Sequence, residues 1–247
     1  QGFKNSGYDR SGASAQKKSL KGWGARSKSP QEDIDANLHT LRQRSRDLYM
    51  SAPLAVSAIK TNRTNVVGGG LKLKSRINLN LLGLTQEQAD QWEKDTEREF
   101  ALWAESRWCD ALKLNNFYEQ QQLALISWLM NGDGFGIIKS HLPEKWMPYS
   151  LRIHLIEADR VSTPNTVQPV SYLPSARNTI GRADNGNLIY NGVEIDGSGA
   201  VAAYHICNQY PNDFIRGSRR EWVRLEAFGA NTGNPNIRHL MESERCE

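Results

Sequence analysis

Apolar residues recur every three or four positions from residue 31 onward, at Ile34, Leu38, Leu41 and Leu48 with Ser45 in the same series, and Asp33 and Asp35 supply negative charge at the start. This pattern predicts an amphipathic helix. Pro53 cannot lie inside it, so a second helix is predicted from a Ser51 cap to about Asn62. Residues 71 to 75 alternate apolar and polar and read as a strand with one polar face, entered through Gly68-Gly69-Gly70. Thr85 with Gln88 three residues later is a capping-box pattern, and the helix it opens runs to about Trp108 with Trp92, Phe100 and Trp103 near one face. A further helix, from Phe117 to about Met130, stops at a run from Asn131 to Gly136 rich in residues that accept positive φ.

Beyond Gly136 the period shortens. Strands are predicted at 137 to 141, 151 to 156, 188 to 190 and 200 to 206, separated by Pro, Asn, Asp and Gly clusters. Asn191-Gly192 and Asp196-Gly197 are turn dipeptides, which makes 188 to 206 a hairpin region. Helices followed by strands, rather than alternating with them, give an α+β fold class: a helix-rich first half followed by short antiparallel strands.

The 247 residues carry a net charge of +4, unevenly placed. Lys4, Arg10, Lys17, Lys18, Lys21, Arg26 and Lys28 oppose only Asp9 in residues 1 to 30, a net of +6, and leave −2 on the rest. The first 30 residues are rich in Gly, Ser and Ala without apolar periodicity and read as a flexible basic arm. Such an arm is attracted to polyanions by counterion release, and Tyr8 and Trp23 could stack on bases, so Lys17, Lys18, Lys21, Arg26 and Lys28 are DNA-contact candidates. The same charge also fits a solubilising tail or a partner for an acidic neighbouring subunit. At 38% hydrophobic and 23% charged, the chain is expected to fold. Its longest apolar run, from Leu123 to Met130, is far short of the roughly 20 residues of a membrane-spanning helix. Cys109, Cys207 and Cys246 lie far apart and are expected as reduced thiols. The first residue, Gln1, and a last residue, Glu247, that closes no recognisable element suggest a longer reading frame.

Candidate chemistry is sparse. Gly68-Gly69-Gly70 lacks the Lys-Ser/Thr of a phosphate loop, and the glycines at 132, 134 and 136 end a helix rather than open one. His39, His141, His154, His205 and His239 show no ligand spacing, and no Cys-x-x-Cys occurs, so no metal or cofactor is expected. Glu157 and Asp159 follow an apolar strand, where a hydrolase could place carboxylates, but an Asp-Arg pair there more often satisfies backbone or forms an ion pair. No catalytic residue is expected. The tryptophans of the helices read as packing or subunit-contact surface.

Four ordered blocks nevertheless form a pattern. The first is Leu41-Arg42-Gln43-Arg44-Ser45-Arg46-Asp47-Leu48-Tyr49 with Ala52-Pro53-Leu54-Ala55 and Asn65-Val66-Val67-Gly68-Gly69-Gly70-Leu71. The second runs from Trp92 through Phe100-Ala101-Leu102-Trp103 and Cys109-Asp110-Ala111 to Gly132-Asp133-Gly134-Phe135. The third is Leu155-Ile156-Glu157-Ala158-Asp159-Arg160-Val161 with Pro164, and the fourth is Gly192-Val193-Glu194-Ile195-Asp196 with Ala203-Tyr204-His205-Ile206. In this order they resemble the lambda-family portal proteins of tailed bacteriophages and prophages, over about residue 31 to the end. The chain stops before the Arg-Gly-x-Pro stretch that follows in the family.

The resemblance implies a structural, non-enzymatic subunit of a ring of twelve copies at one capsid vertex, through which double-stranded DNA is packaged and ejected. Implied partners are the terminase large subunit, the major capsid protein or scaffold, and head-completion proteins, with no membrane. The implied location is the virion, and the host cytoplasm during assembly. Residues 1 to 30 would be the arm and 31 to 247 a wing-like region lacking stem and clip. Ring closure needs a head-to-tail interface. Arg42, Arg44, Arg46 and Asp47 are candidates for it, a solvated helix face being the alternative. A nucleic-acid-binding module acting through the arm is the competing function.

Overall fold

The computed structural model describes residues 12 to 243 apart from 15, 25, 171 to 179 and 211 to 218. Lys4, Tyr8, Asp9, Arg10 and Cys246 lie outside the described residues. The helical half holds α1 (Pro30–Asp35), α2 (Leu38–Ser51), α3 (Pro53–Val66), α4 (Leu79–Leu82), α5 (Gln86–Glu105) and α6 (Phe117–Asn131). Its boundaries follow local chemistry. Pro30 and Pro53 each occupy a first helical turn, where a missing N–H costs nothing. Thr85–Gln88 and Asn116–Glu119 form capping boxes, and Gly132, at φ +86°, closes α6 in the left-handed conformation. The predicted Ser51 cap is not made: α3 has Ala52 at its N-cap, and Ser51 ends α2 with its hydroxyl donating to the Asp47 carbonyl.

Residues 71 to 75 form no strand. The segment is extended, but its backbone is bonded by helix side chains instead of a neighbouring strand. Leu71 N–H donates to Gln121 Oε1 at 2.6 Å, Ser75 N–H to Glu97 at 3.0 Å and Ile77 N–H to Glu93 at 2.8 Å. The segment is thereby laced across α5 and α6.

The strand half has a three-stranded antiparallel sheet, order β2-β1-β9, from β1 (Gly134–Ser140), β2 (Leu151–Glu157) and β9 (Ile237–Leu240). A six-stranded antiparallel meander follows: β3 (Gln168–Pro169), β4 (Ile180–Arg182), β5 (Leu188–Tyr190), β6 (Val193–Ile195), β7 (Val201–Cys207) and β8 (Trp222–Glu226). Helices followed by antiparallel strands make the fold α+β, as the sequence pattern predicts. The predicted 188 to 206 hairpin region is β5, β6 and β7 of the meander, with Asn191 at φ +48° and Gly192 at +88° in the β5–β6 turn.

Two cores hold three layers. Trp103, Ala104, Cys109 and Met147, with Phe100, Phe117 and Ile153 against them, join the helices to β2. Phe135, Ile137, Ile156, Ile237, Tyr204 and Ile206 join the small sheet to β7 of the large one. Because side chains alternate along a strand, Ile153 and Ile156 of β2 serve opposite layers. The small sheet therefore lies between the helices and the meander.

Candidate functional site

The helical and strand halves are tied together by two arginines one turn apart on α2. Arg42 donates from Nε to the Asn131 carbonyl at 3.0 Å and from Nη2 to Asp133 Oδ1 at 2.6 Å. Arg46 donates from Nε to Asn131 Oδ1 at 2.9 Å and from Nη1 to Asp159 Oδ2 at 2.5 Å. Asp159 Oδ1 lies 3.6 Å from Arg42, and Glu157 lies 3.8 Å from Arg46 Nη2. Asp133 extends the network to His239 of β9, 3.4 Å away, whose ring stacks on Phe135 with centroids 4.2 Å apart. One helix thus clasps the end of α6, the start of β1, the end of β2 and β9.

Burial opposes the charge of Arg46, but the hydrogen bond to Asp159 and the carboxylates of Asp159 and Glu157 outweigh it and raise its pKa. The clasp also redefines the candidate residues. Arg42 is buried and Arg46 half-buried in contacts within the chain, whereas Arg44 and Asp47 are exposed on the opposite side of α2. Two leucines of the predicted apolar stripe are turned out, Leu41 at 60% and Leu48 at 52% exposed, whereas Leu38 is partly buried.

Glu157 and Asp159, the hydrolase candidates, face guanidinium groups as their counter-ions. Arg160, beside them, donates from Nε to the Cys207 carbonyl at 3.0 Å, so it satisfies backbone. A cleft of about 390 Å³ opens next to the clasp, lined by His39, Arg42, Asp159, Asn191, Arg220 and Trp222 among others.

A second network, unforeseen from the sequence, sits in the meander. Glu194 is fully buried on β6. It accepts from Arg224 Nε and Nη2 at 2.7 and 2.9 Å and from the side-chain amides of Asn185 and Asn187, each at 2.8 Å, and lies 3.0 Å from His205 Nε2. The Arg224 bonds, with those of the two asparagines and His205, hold the carboxyl well below the usual carboxylate range despite its burial. The available signal was an acidic residue flanked by Val193 and Ile195 in a turn-bounded strand.

The four sequence blocks supply part of both networks, with Asn131, Asn185, Asn187, Arg224 and His239 coming from outside them. Arg42 and Arg46 come from the first, Asp133 from the second, Glu157 and Asp159 from the third, and Glu194 and His205 from the fourth. In the second block, Asp110 is also buried, accepting from Leu112, Leu114 and Asn115 N–H to shape the loop before α6.

The basic candidates Lys17, Lys18, Lys21, Arg26 and Lys28 are all exposed ahead of α1. Residues 17 to 23 make a short turn, with Lys21 N–H donating to the Lys17 carbonyl at 2.9 Å, and Trp23 is exposed. Among the described residues no group of three or more His, Cys, Asp or Glu is placed to hold a metal, and no helix is long and apolar enough to cross a membrane.

Comparison with known proteins gives these features a family. Residues 16 to 247 match the sequence model of the phage portal protein, lambda family. The chain is 26% identical over 209 residues to a probable portal protein of Halomonas phage phiHAP-1, covering 83% of this chain and 36% of that protein. It is 24% identical over 226 residues to the portal protein of Escherichia phage N15, covering 90% of this chain and 38% of that one. The chain therefore spans under two-fifths of the length of these relatives, and it belongs to the lambda family of phage portal proteins.

Proposed function

We propose that the protein acts as a structural portal subunit, part of a ring of twelve copies at one capsid vertex through which double-stranded DNA enters and leaves the head. The observation that carries this reading is the family match over residues 16 to 247. Large apolar side chains such as Leu54, Leu102, Leu142 and Trp146 stand exposed and are available for contacts in an assembled particle. The role is non-enzymatic. Terminase large subunit, major capsid protein or scaffold, and head-completion proteins are its expected partners, the virion its expected location, and residues 31 to 247 its wing-like region.

Residues 1 to 30 act in this reading as a basic arm, with Lys17, Lys18, Lys21, Arg26 and Lys28 near DNA. The nearly neutral body avoids the tight phosphate binding that would stall a sliding duplex. Electron microscopy of the intact gene product tests the ring. Closed rings are expected, and a monomer under all assembly conditions would sink the reading. Were the protein instead a nucleic-acid-binding module, deletion of residues 1 to 30 would abolish a steeply salt-dependent DNA affinity in the monomer.

A further inference from the structure

Residues 71 to 77 carry the alternation of a strand, yet helix side chains and no strand bond their backbone. Glu97 and Glu93, one turn apart on α5, accept from Ser75 and Ile77. The spacings match, because four helical residues rise about 6 Å and two extended residues about 6.6 to 6.8 Å. Gln121 of α6 continues the line by bonding both the N–H and the carbonyl of Leu71. All of these bonds fall on odd-numbered residues. Successive residues of an extended chain turn their N–H and C=O to opposite edges, so Lys72, Lys74 and Arg76 address the edge away from the helices. Their backbone groups have no hydrogen-bond partner among the described residues, and all three residues are exposed. The helices thus complete one edge of the segment and leave the other as open as that of an unpaired edge strand.

Charge decides what fits there. From Leu48 to Gln86 the chain has Lys60, Arg63, Lys72, Lys74 and Arg76 and no acidic residue. Lys74 is occupied by Glu97 at 3.0 Å, but Lys60, Arg63, Lys72 and Arg76 form no ion pair among the described residues. The carboxylates of Glu93 and Glu97 lie on the helix side and are bonded by backbone N–H groups. The open edge itself alternates donors with acceptors, which matches another peptide backbone. A phosphate chain only accepts, and it would meet the open carbonyls without a donor.

We infer that this edge binds an extended acidic segment of a protein partner, which adds to residues 71 to 77 as a second strand. Backbone bonds to Lys72, Lys74 and Arg76 hold the added strand, and acidic side chains at every second position lie beside Lys72 and Arg76 on their shared face. Backbone pairing supplies affinity and the basic row supplies the preference for acidic sequence. This claim is independent of ring formation.

A fluorescein-labelled peptide of alternating Glu and Val tests it, with fluorescence anisotropy as the readout. The unmodified chain is expected to bind it saturably, and roughly tenfold more weakly when every peptide amide is N-methylated. Lys72→Gln and Lys72→Pro both remove the charge, but only proline removes the N–H at the open edge. That N–H has no partner in the free chain, so both variants should melt like the unmodified protein. The proline variant should bind the peptide roughly tenfold more weakly than the glutamine variant. The methylated peptide tests the same bonds without altering the chain. An absence of saturable binding, equal binding of the methylated peptide, or equal affinities of the folded proline and glutamine variants would each overturn the inference. A short DNA duplex that binds more tightly than the peptide, and loses that binding in Arg76→Glu, would overturn it in favour of a nucleic-acid contact.

Discussion

Arg46 reaches across more than a hundred residues of sequence to Asp159, its Nη1 donating at 2.5 Å to a carboxylate whose other oxygen is 3.6 Å from Arg42. Both side chains are largely buried, and Arg46 Nη2 has no hydrogen-bond partner among the described residues. A buried ion pair contributes little net stability over an apolar replacement, but removal of one partner strands the other's charge. Asp159→Ala is therefore expected to cost about 3 kcal/mol in denaturant unfolding. Arg46→Met combined with Asp159→Ala should cost less than the two single losses added together. A double variant as unstable as the sum of the singles would show that the two residues do not act as a pair.

The Glu194 network makes stability depend on pH with a definite sign. The folded state lowers the pKa of Glu194, so its contribution is complete above the unfolded carboxyl value of about 4.3 and is lost as pH falls through the folded value. His205 adds a second limb. Burial lowers its pKa, against the opposing hydrogen bond to Glu194, so below about 6.5 the unfolded chain takes up a proton that the folded one resists. His154, lowered by burial and then by Lys139 and Arg160, acts in the same direction. Urea midpoints should fall from pH 7.5 to 5.5 and fall again by pH 3.5. Glu194→Gln should lower the midpoint at pH 7.5 and flatten the profile below pH 4.5, and an unaltered acid limb would refute the assignment.

Gly70 is expected to tolerate no side chain, while its neighbour Gly69 tolerates one. Gly70 has φ +102°, and a Cβ there would lie 2.4 Å from Tyr118 Cβ, whereas a Cβ on Gly69 would meet nothing within 4 Å. Gly70→Ala should destabilise by more than about 1 kcal/mol, and Gly69→Ala should be close to neutral or slightly stabilising. Parallel denaturant titrations of the two variants check this, and equal midpoints would contradict it.

The signals legible in the sequence were the local ones. Thr85 with Gln88, Gly132 after Asn131, and Asn191-Gly192 each specify their cap or turn through bonds and φ angles within a few residues. The alternation of residues 71 to 75 likewise gives extended backbone, but its bonding partners are side chains on α5 and α6, which only tertiary packing brings near. The period of α2 identifies a helix and leaves its inward face open. Asp133, Glu157 and Asp159 decide that face, because two guanidinium groups with counter-ions can be buried and Leu41 and Leu48 are left outside. Glu194 escaped for the same reason, since Arg224 lies on another strand, 30 residues on.

Cys109 gives the sharpest chemical test of the helical core. It is fully buried beside Trp103 and Met147, and burial, helped by the neighbouring carboxylate of Asp110, pushes its thiol up to about 12. Thiolate is the form that reacts with alkylating agents, and at pH 8 almost none would exist at this site even if reagent could reach it. Iodoacetamide at pH 8 should therefore leave Cys109 unmodified in the folded protein and modify it fully after denaturation, as read by peptide mass spectrometry. Trp103→Ala, which removes an indole packed against Phe100 and Phe117 with centroids 5.5 and 5.0 Å away, is expected to cost about 3 to 5 kcal/mol. It also breaks the Trp103 Nε1 bond to the Leu151 carbonyl at 2.9 Å, loosening the contact of α5 with β2. Labelling of Cys109 should then rise at least tenfold without denaturant, because the thiol is exposed each time this layer opens. Rapid labelling of Cys109 in the unmodified protein would mean that α5, the 107 to 109 turn and β2 do not form a closed layer.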